Sequence, residues 1–438
     1  MSYQSNFQKY LSAVQKPFEK IVRLDFLQAD EKSVAFSLGN ERARGFMKDY
    51  PTNALIQSGS LNVNLQNGTR RTCTVVLDNN DGKFHYAANK LWFGTKVRLM
   101  MGLVLPDGTP FYIPQGVFLI KEPQTAYKPN DRTITLSLTD KFAALDGSLG
   151  GRLSYAYQIP STYGSRPKIF EIMQQLLHLS KFTLEETDNP DLYIDPATPK
   201  FTNYYNGQTT TVTYTNGETE VIDYDSVSYD LSLDNGSTIA QAFSELNTLI
   251  AAWYGYDATG AFFVDPSQDD VDDTQKPILW EFTEQNSEFL GLTETAKTGD
   301  LYNNVVVRGN GLHYATYYGR AYDADPISPT NIYKIGLKTF FENASNLCSE
   351  KQCKDYAYFL LKRKSLLSTS VSITSGQLFH LRENALVSVR RDDLDGSPTK
   401  LYLITAYSLP LADEGEMSIT CTGVAEDSRN YTVEGGIS

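Results

Sequence analysis

The chain has 438 residues, about three ordinary domains in length, and its 41% hydrophobic content is enough to bury cores without disulfides or metals. With 39 basic against 52 acidic residues the net charge is -13, which repels phosphate backbones and anionic lipid heads and disfavours charge-driven nucleic-acid binding. The cysteines Cys73, Cys348, Cys353 and Cys421 lack the spacing of a zinc site or a disulfide framework and read as free thiols; neither a signal peptide nor a membrane anchor is expected, since the most apolar run, residues 97–105, is short and carries Arg98.

Residues 1–18 mix polar and aromatic positions up to Pro17 and read as an arm or short helix lying on a neighbour. From Lys20 the pattern is β: Ile21, Arg23 and Asp25 alternate against Val22, Leu24 and Phe26, and a second run covers residues 34–38. Strict alternation over residues 59–65, then Asn67-Gly68, then Cys73, Val75 and Leu77 on one face, predicts a hairpin, because Asn and Gly tolerate the positive φ of a primed turn. Residues 19–150 are expected to form a first β-barrel module. The period then changes: Ile169, Ile172, Met173, Leu176 and Leu177 share one stripe of a helix, and Thr215-Asn216-Gly217-Glu218 marks a small hairpin in an α+β insert, residues 151–235. A second helix, with Ile239, Ala242, Phe243, Leu246, Leu249, Ile250 and Trp253 on its stripe, precedes a strand at residues 260–264 in a small α+β unit, residues 236–300.

The β pattern returns at Asn304-Val305-Val306-Val307-Arg308-Gly309, opening a second module over residues 301–425. It contains a third helix, signalled by Ser349 with Gln352 as a capping box and by Cys353, Ala357, Leu360 and Leu361. Residues 426–438 read as a loose tail. The second module looks like a copy of the first. Leu378-Phe379-His380-Leu381, a β run at residues 385–389, the turn Asp395-Gly396-Ser397-Pro398, Leu401-Tyr402-Leu403-Ile404 and Met417-Ser418-Ile419-Thr420-Cys421-Thr422 occur in one order. Lys83-Phe84-His85-Tyr86, Lys96-Val97-Arg98-Leu99, Asp107-Gly108-Thr109-Pro110, Val117-Phe118-Leu119-Ile120 and Arg132-Thr133-Ile134-Thr135-Leu136-Ser137-Leu138 repeat that order. The expected fold is mainly β with an α+β middle: two related antiparallel β-barrel domains bracketing smaller α/β domains.

Candidate chemistry is sparse. His85, His178, His313 and His380 sit at no metal-ligand spacing, and the matched places of His85 and His380 point to a shared turn role. Cys348 and Cys353 are spaced as buried small residues near a helix start. The run Asp269-Asp270-Val271-Asp272-Asp273 lacks the glycine and closing glutamate of a calcium loop and reads as solvated. No nucleophile elbow or phosphate-binding loop occurs, and no catalytic, cofactor-binding or metal residue is assigned. Cys73 and Cys421 are expected to be buried reduced thiols within strands.

Several stretches resemble the hub proteins of bacteriophage tails and baseplates. They are Leu55-Ile56-Gln57-Ser58-Gly59-Ser60-Leu61-Asn62-Val63 with Arg70-Arg71-Thr72-Cys73-Thr74, Asp140-Lys141-Phe142-Ala143-Ala144-Leu145-Asp146-Gly147, Asn303 to Gly309, and Gly415-Glu416-Met417-Ser418-Ile419-Thr420-Cys421. The resemblance implies a structural protein without enzymatic activity or cofactor, forming a homotrimeric ring of six similar units. Such a ring joins a sixfold tail tube or distal tail protein to a threefold tip or spike, and lets DNA pass without specific binding. It implies a virion location after assembly in the host bacterial cytoplasm. With the second module expected to end near residue 425 of 438, no appended hydrolase is expected. A sugar-binding β protein, suggested by the 28 tyrosines, and a tail-associated cell-wall hydrolase are the alternatives.

Overall fold

The structure, a computed structural model, describes residues 3–47, 54–84, 91–129, 131–161, 166–180, 200–266, 276–296, 301–309, 313–365, 369–424 and 431–437. Helix α1 (Tyr3–Ala13) lays Tyr10 and Ala13 into the main core. After it come β1 (Lys20–Leu27), β2 (Val34–Gly39) and the single-turn α2 (Glu41–Arg44), which Asn40 caps. β3 (Ile56–Asn64) turns through Asn67-Gly68 into β4 (Arg71–Asp78), with Val63 opposite Arg71, as the hairpin signal required. Alternation sets the faces of β4: Cys73, Val75 and Leu77 go into the core and Thr72 and Thr74 to solvent. β5 (Lys96–Val104), the 19-residue β6 (Pro110–Lys128) and β7 (Asp131–Asp140) complete this half.

The middle carries β8 (Tyr157–Ile159), α3 (Ile169–Leu179), the hairpin of β9 (Thr209–Thr213) with β10 (Thr219–Asp223), β11 (Leu231–Leu233), α4 (Ile239–Ile250), β12 (Ala252–Tyr256) and β13 (Phe262–Pro266). α3 buries the five residues its period nominated. α4 starts at a capping box of Thr238 and Gln241 and stops where Ala251 turns left-handed, so Trp253 lies in β12 and not on the helix.

The remainder is β14 (Ile278–Phe282), β15 (Phe289–Ala296), β16 (Asn304–Gly309), β17 (Tyr317–Tyr322), the short α5 (Ile332–Ile335), β18 (Thr339–Ala344), α6 (Glu350–Ser365), β19 (Thr369–Ser375), β20 (Leu386–Arg390), β21 (Thr399–Pro410), β22 (Met417–Gly423) and β23 (Thr432–Ile437). At the start of α6 the Ser349 hydroxyl accepts from the Gln352 amide at 3.2 Å, but the Gln352 side chain accepts from Cys348 N, so the box is half formed.

Thirteen strands make one sheet, along the path β15-β19-β22-β21-β3-β4-β7-β6-β5-β1-β2 with β20 and β14 branching from β21. Within it five strands of one half correspond one for one to five of the other. The first pairs in the order β3-β4-β7-β6-β5 and the second in the order β15-β19-β22-β21-β20. Even the irregularities match: β6 bulges after Ile120, opposite Leu138, and β21 after Ile404, opposite Cys421. β3 bulges after Ile56 and β15 after Phe289. The fold is mainly β with an α+β middle, and the main core runs through both halves without a break. Among the described residues the path stays open, with no ladder closing either half into a barrel.

Three boundaries differ from the sequence reading. β14 and β15, placed there in the unit of residues 236–300, pair with β20 and β19 and so belong to the second β half. β16 to β18, taken as the opening of the second module at residue 301, form a separate sheet, β18-β16-β17-β23, beneath α6. They stand between β15 and β19, where the first half has only the Asn67-Gly68 turn, so they are an insertion in the repeat. The supposed loose tail contains β23, paired with β17 from Tyr317–Ile437 to Tyr322–Thr432. Alternation marks a strand without saying which sheet it joins.

Candidate functional site

The two β halves and the α+β middle meet at a buried cluster of charges. The Asn67-Gly68 turn delivers Arg70 and Arg71 to it, the loop before β20 delivers Glu383, and the end of β7 delivers Asp140. Arg71 Nη2 donates to both Glu383 oxygens, at 2.8 and 2.7 Å, and Nη1 donates to the Tyr256 carbonyl at 2.7 Å. Arg70 Nη1 lies 3.4 Å from Glu383 Oε1, and its guanidinium stacks 4.6 Å above the ring of Phe263. The backbone amides of both arginines donate to Asp140 Oδ2, at 2.6 and 3.0 Å, while Oδ1 caps the following turn through Phe142 N at 3.0 Å. The neighbouring Lys141 bonds Glu31 at 2.6 Å and the Gly260 carbonyl at 2.9 Å, tying the β1–β2 turn to the β12–β13 turn. Thus two of the stretches that carry the family resemblance converge on one junction.

Burial and charge compete here. Burial pushes the Glu383 carboxyl up, but the charges of Arg71 and Arg70 outweigh it and hold the group below the ordinary glutamate value. Burial drives Asp140 up to about 6 against the pull of its three amide donors. It drives His380 down to about 3, so the imidazole is neutral; Tyr10 Oη accepts from Phe379 N at 3.0 Å and is hydrogen-bonded to His380 Nδ1 at the same distance. The N-terminal arm is thereby fastened to the second half.

A cavity of about 350 Å³ opens beside the cluster, lined in part by Gln115, Asp257, Phe263, Lys276, Glu383 and Tyr407. Its three carboxylates are engaged: Glu383 by two guanidinium groups, Asp257 Oδ1 by Thr259 N, Thr259 Oγ1 and Ala261 N, and Asp265 Oδ2 by Asn384 Nδ2 at 3.3 Å. A general base needs a lone pair free to take a proton, and these lone pairs point at donors. The arrangement suits fixing three parts of the chain relative to one another.

The residues weighed from sequence scatter. Of the histidines only His380 reaches this junction; His178 is exposed on the last turn of α3, His313 is exposed before β17, and His85 lies outside the described residues. The acidic run at residues 269–273 also lies outside them. All four cysteines are buried and unbridged, Cys73 and Cys421 inside β4 and β22, with burial pushing every thiol upward. Among the described residues no group of three His, Cys, Asp or Glu side chains could hold a metal. The Arg71–Glu383 pair escaped sequence reading because its partners stand 312 residues apart.

No family model matches the sequence, and no curated protein matches it. Solved structures do. The tail protein from Neisseria meningitidis MC58 superposes with a TM-score of 0.53 at 11% identity, covering 92% of this chain and 97% of that one. The 43 kDa tail protein of prophage MuSo2 from Shewanella oneidensis gives a TM-score of 0.52 at 10% identity, covering 94% of this chain and all of that one, 100%. At such identities the likeness establishes the fold: over nearly its whole length the chain folds as these tail proteins do.

Proposed function

We propose that the chain is a structural hub of a phage tail, without catalytic activity, whose three copies form a ring between a sixfold tail tube and a threefold tip. The observation that carries this reading is the five-strand repeat. Each chain holds two like β halves, β3-β4-β7-β6-β5 and β15-β19-β22-β21-β20, so three chains present six like units, which is what matching a sixfold tube to a threefold tip requires. The fold shared with two tail proteins supports the tail setting. The junction at Arg71 and Glu383 would hold the halves at a fixed angle, as a ring component needs.

In this reading the first half of one chain meets the second half of the next, and flanking partners are the tail tube or distal tail protein on one side and the tip or spike on the other. DNA passes through the centre without specific binding, helped by the net charge of -13. The protein is assembled in the host cytoplasm and resides in the virion. Gold-labelled antibody against the chain, applied to tail particles from the source that encodes it, should mark one end of the tail, and averaged images should show a threefold ring there. Tails without label would overturn the assignment.

A further inference from the structure

Among the described residues of one chain a single ladder joins the two β halves. Beyond its bulge, β21 keeps β22 on one edge and gives the other to β3, pairing Ala406 with Asn64, Ser408 with Asn62 and Pro410 with Ser60. The internal repeat names the counterparts. Ile404 and its bulge correspond to Ile120 and its bulge, so Ala406, Ser408 and Pro410 correspond to Glu122, Gln124 and Ala126 on β6. β3 corresponds to β15, and its matched bulge sets Ser60 and Asn62 against Thr293 and Thr295.

Both counterparts stand open on the edge in question, among the described residues. β5 accompanies β6 only as far as Leu119, opposite Lys96, while β7 covers the other edge to Lys128. β15 is the end of the sheet path, with β19 on its inner side. β2, at the opposite end of the path, has no counterpart in the second half and therefore no internal joint to copy.

We propose that residues 122–128 of β6 add as an antiparallel strand to β15 of a second copy of this chain, in the register of the internal joint: Gln124 opposite Thr295 and Ala126 opposite Thr293. This rests on the ring reading and gives the contact between chains the geometry of the contact within one. The exposures agree. Leu411, whose amide donates to the Gly59 carbonyl at 2.9 Å, is 1% exposed at the internal joint, whereas its counterpart Tyr127 is 73% exposed. Leu290 on β15 is 52% exposed. Strand addition would bring these side chains together out of water.

Pro123 gives the edge its selectivity. The bonds Leu65 N to Thr405 O and Leu411 N to Gly59 O set an alternation that places the Tyr407 N–H in the internal ladder, and Pro123, its counterpart, has no N–H. The ladder between chains is one donor short, and the free edge, with Pro123 flanked by Lys121 and Lys128, is guarded against indiscriminate pairing before assembly.

The test is a crosslink. By the same alternation Gln124 and Thr295 form a non-hydrogen-bonded pair, whose Cα atoms lie about 4.5 Å apart, within disulfide reach. The four native cysteines are buried and do not compete. Mild oxidation of the full chain carrying Gln124→Cys and Thr295→Cys, at high concentration, should give covalent multimers ending at three chains. Either single variant, and the out-of-register pair Gln124→Cys with Leu290→Cys, should lose them. Absence of links in the in-register pair, or equal linking in both pairs, overturns the proposal. An unlinked pair in a chain that still labels tails sinks the strand contact alone; tails without label sink the tail role and leave the crosslink result standing.

Discussion

Glu383 is one carboxylate facing two buried guanidinium groups, with Arg71 bound at both of its oxygens and Arg70 at the longer 3.4 Å. Its removal leaves two cations in a dry junction. Glu383→Gln is therefore expected to cost about 3–5 kcal/mol of stability, the range for breaking a buried pair by deleting one partner. Arg70 is the opposite case. Its Nε and Nη2 are buried without hydrogen-bond partners, and its guanidinium lies 4.6 Å over the Phe263 ring. Arg70→Met should then be neutral or stabilising, because Arg71 still holds both Glu383 oxygens, two unsatisfied donors are removed and the thioether takes the place of the guanidinium beside Phe263. Urea denaturation of both variants checks the pair: equal losses would mean that both arginines are needed to hold Glu383. None of this pairing was legible in the sequence, where Arg70-Arg71 stands out only as part of a stretch that carries the family resemblance. Ion pairing between distant residues has no local pattern, whereas Cys73, in strict alternation with threonine and valine, announced its buried strand position.

At the scale of elements, the inserted sheet is seated on α6 through glycine. A Cβ at Gly319 on β17 would come within 2.2 Å of the Cys353 carbonyl carbon, and one at Gly309 on β16 within 2.7 Å of the Cys353 sulfur. Helix and sheet thus touch backbone to backbone at Gly319 and backbone to the small Cys353 side chain at Gly309. Gly319→Val must lift α6 off the sheet, since the helix backbone cannot yield. A loss of about 1–3 kcal/mol is expected, the usual range for overpacking a filled core. A thermal melt checks it, and an unchanged midpoint would show that α6 is held elsewhere. Helices α3, α4 and α6 were legible because a 3.6-residue stripe is a local property. The membership of β16 to β18 was not: Asn304–Gly309 alternates like any strand of the main sheet, and only its ladders to β17 and β18 reveal the insertion.

For the whole molecule, the repeat was visible in sequence as a shared order of landmarks, but its consequence is visible only in the pairing. The halves look like separable modules in the sequence; in the structure they share one sheet and one core. β3 has β4 on one edge and β21 on the other, from Asn64–Ala406 to Ser60–Pro410. Lys20 reaches across to donate to the carbonyls of Pro410 and Ala412 at 2.7 and 2.5 Å. Leu61 and Val63 pack in the same cluster as Tyr407 and Leu409. A fragment spanning residues 19–150 would lose these partners together with Glu383, leaving an exposed β3 edge, an unpaired buried arginine and a core open along one side. It is expected not to fold alone, while in the full chain both β halves unfold in one transition. Proton NMR of the isolated fragment decides the matter: collapsed amide dispersion is the expected result. A well-dispersed spectrum with cooperative urea unfolding would show that the halves are autonomous and that the β3–β21 ladder is a contact between finished domains.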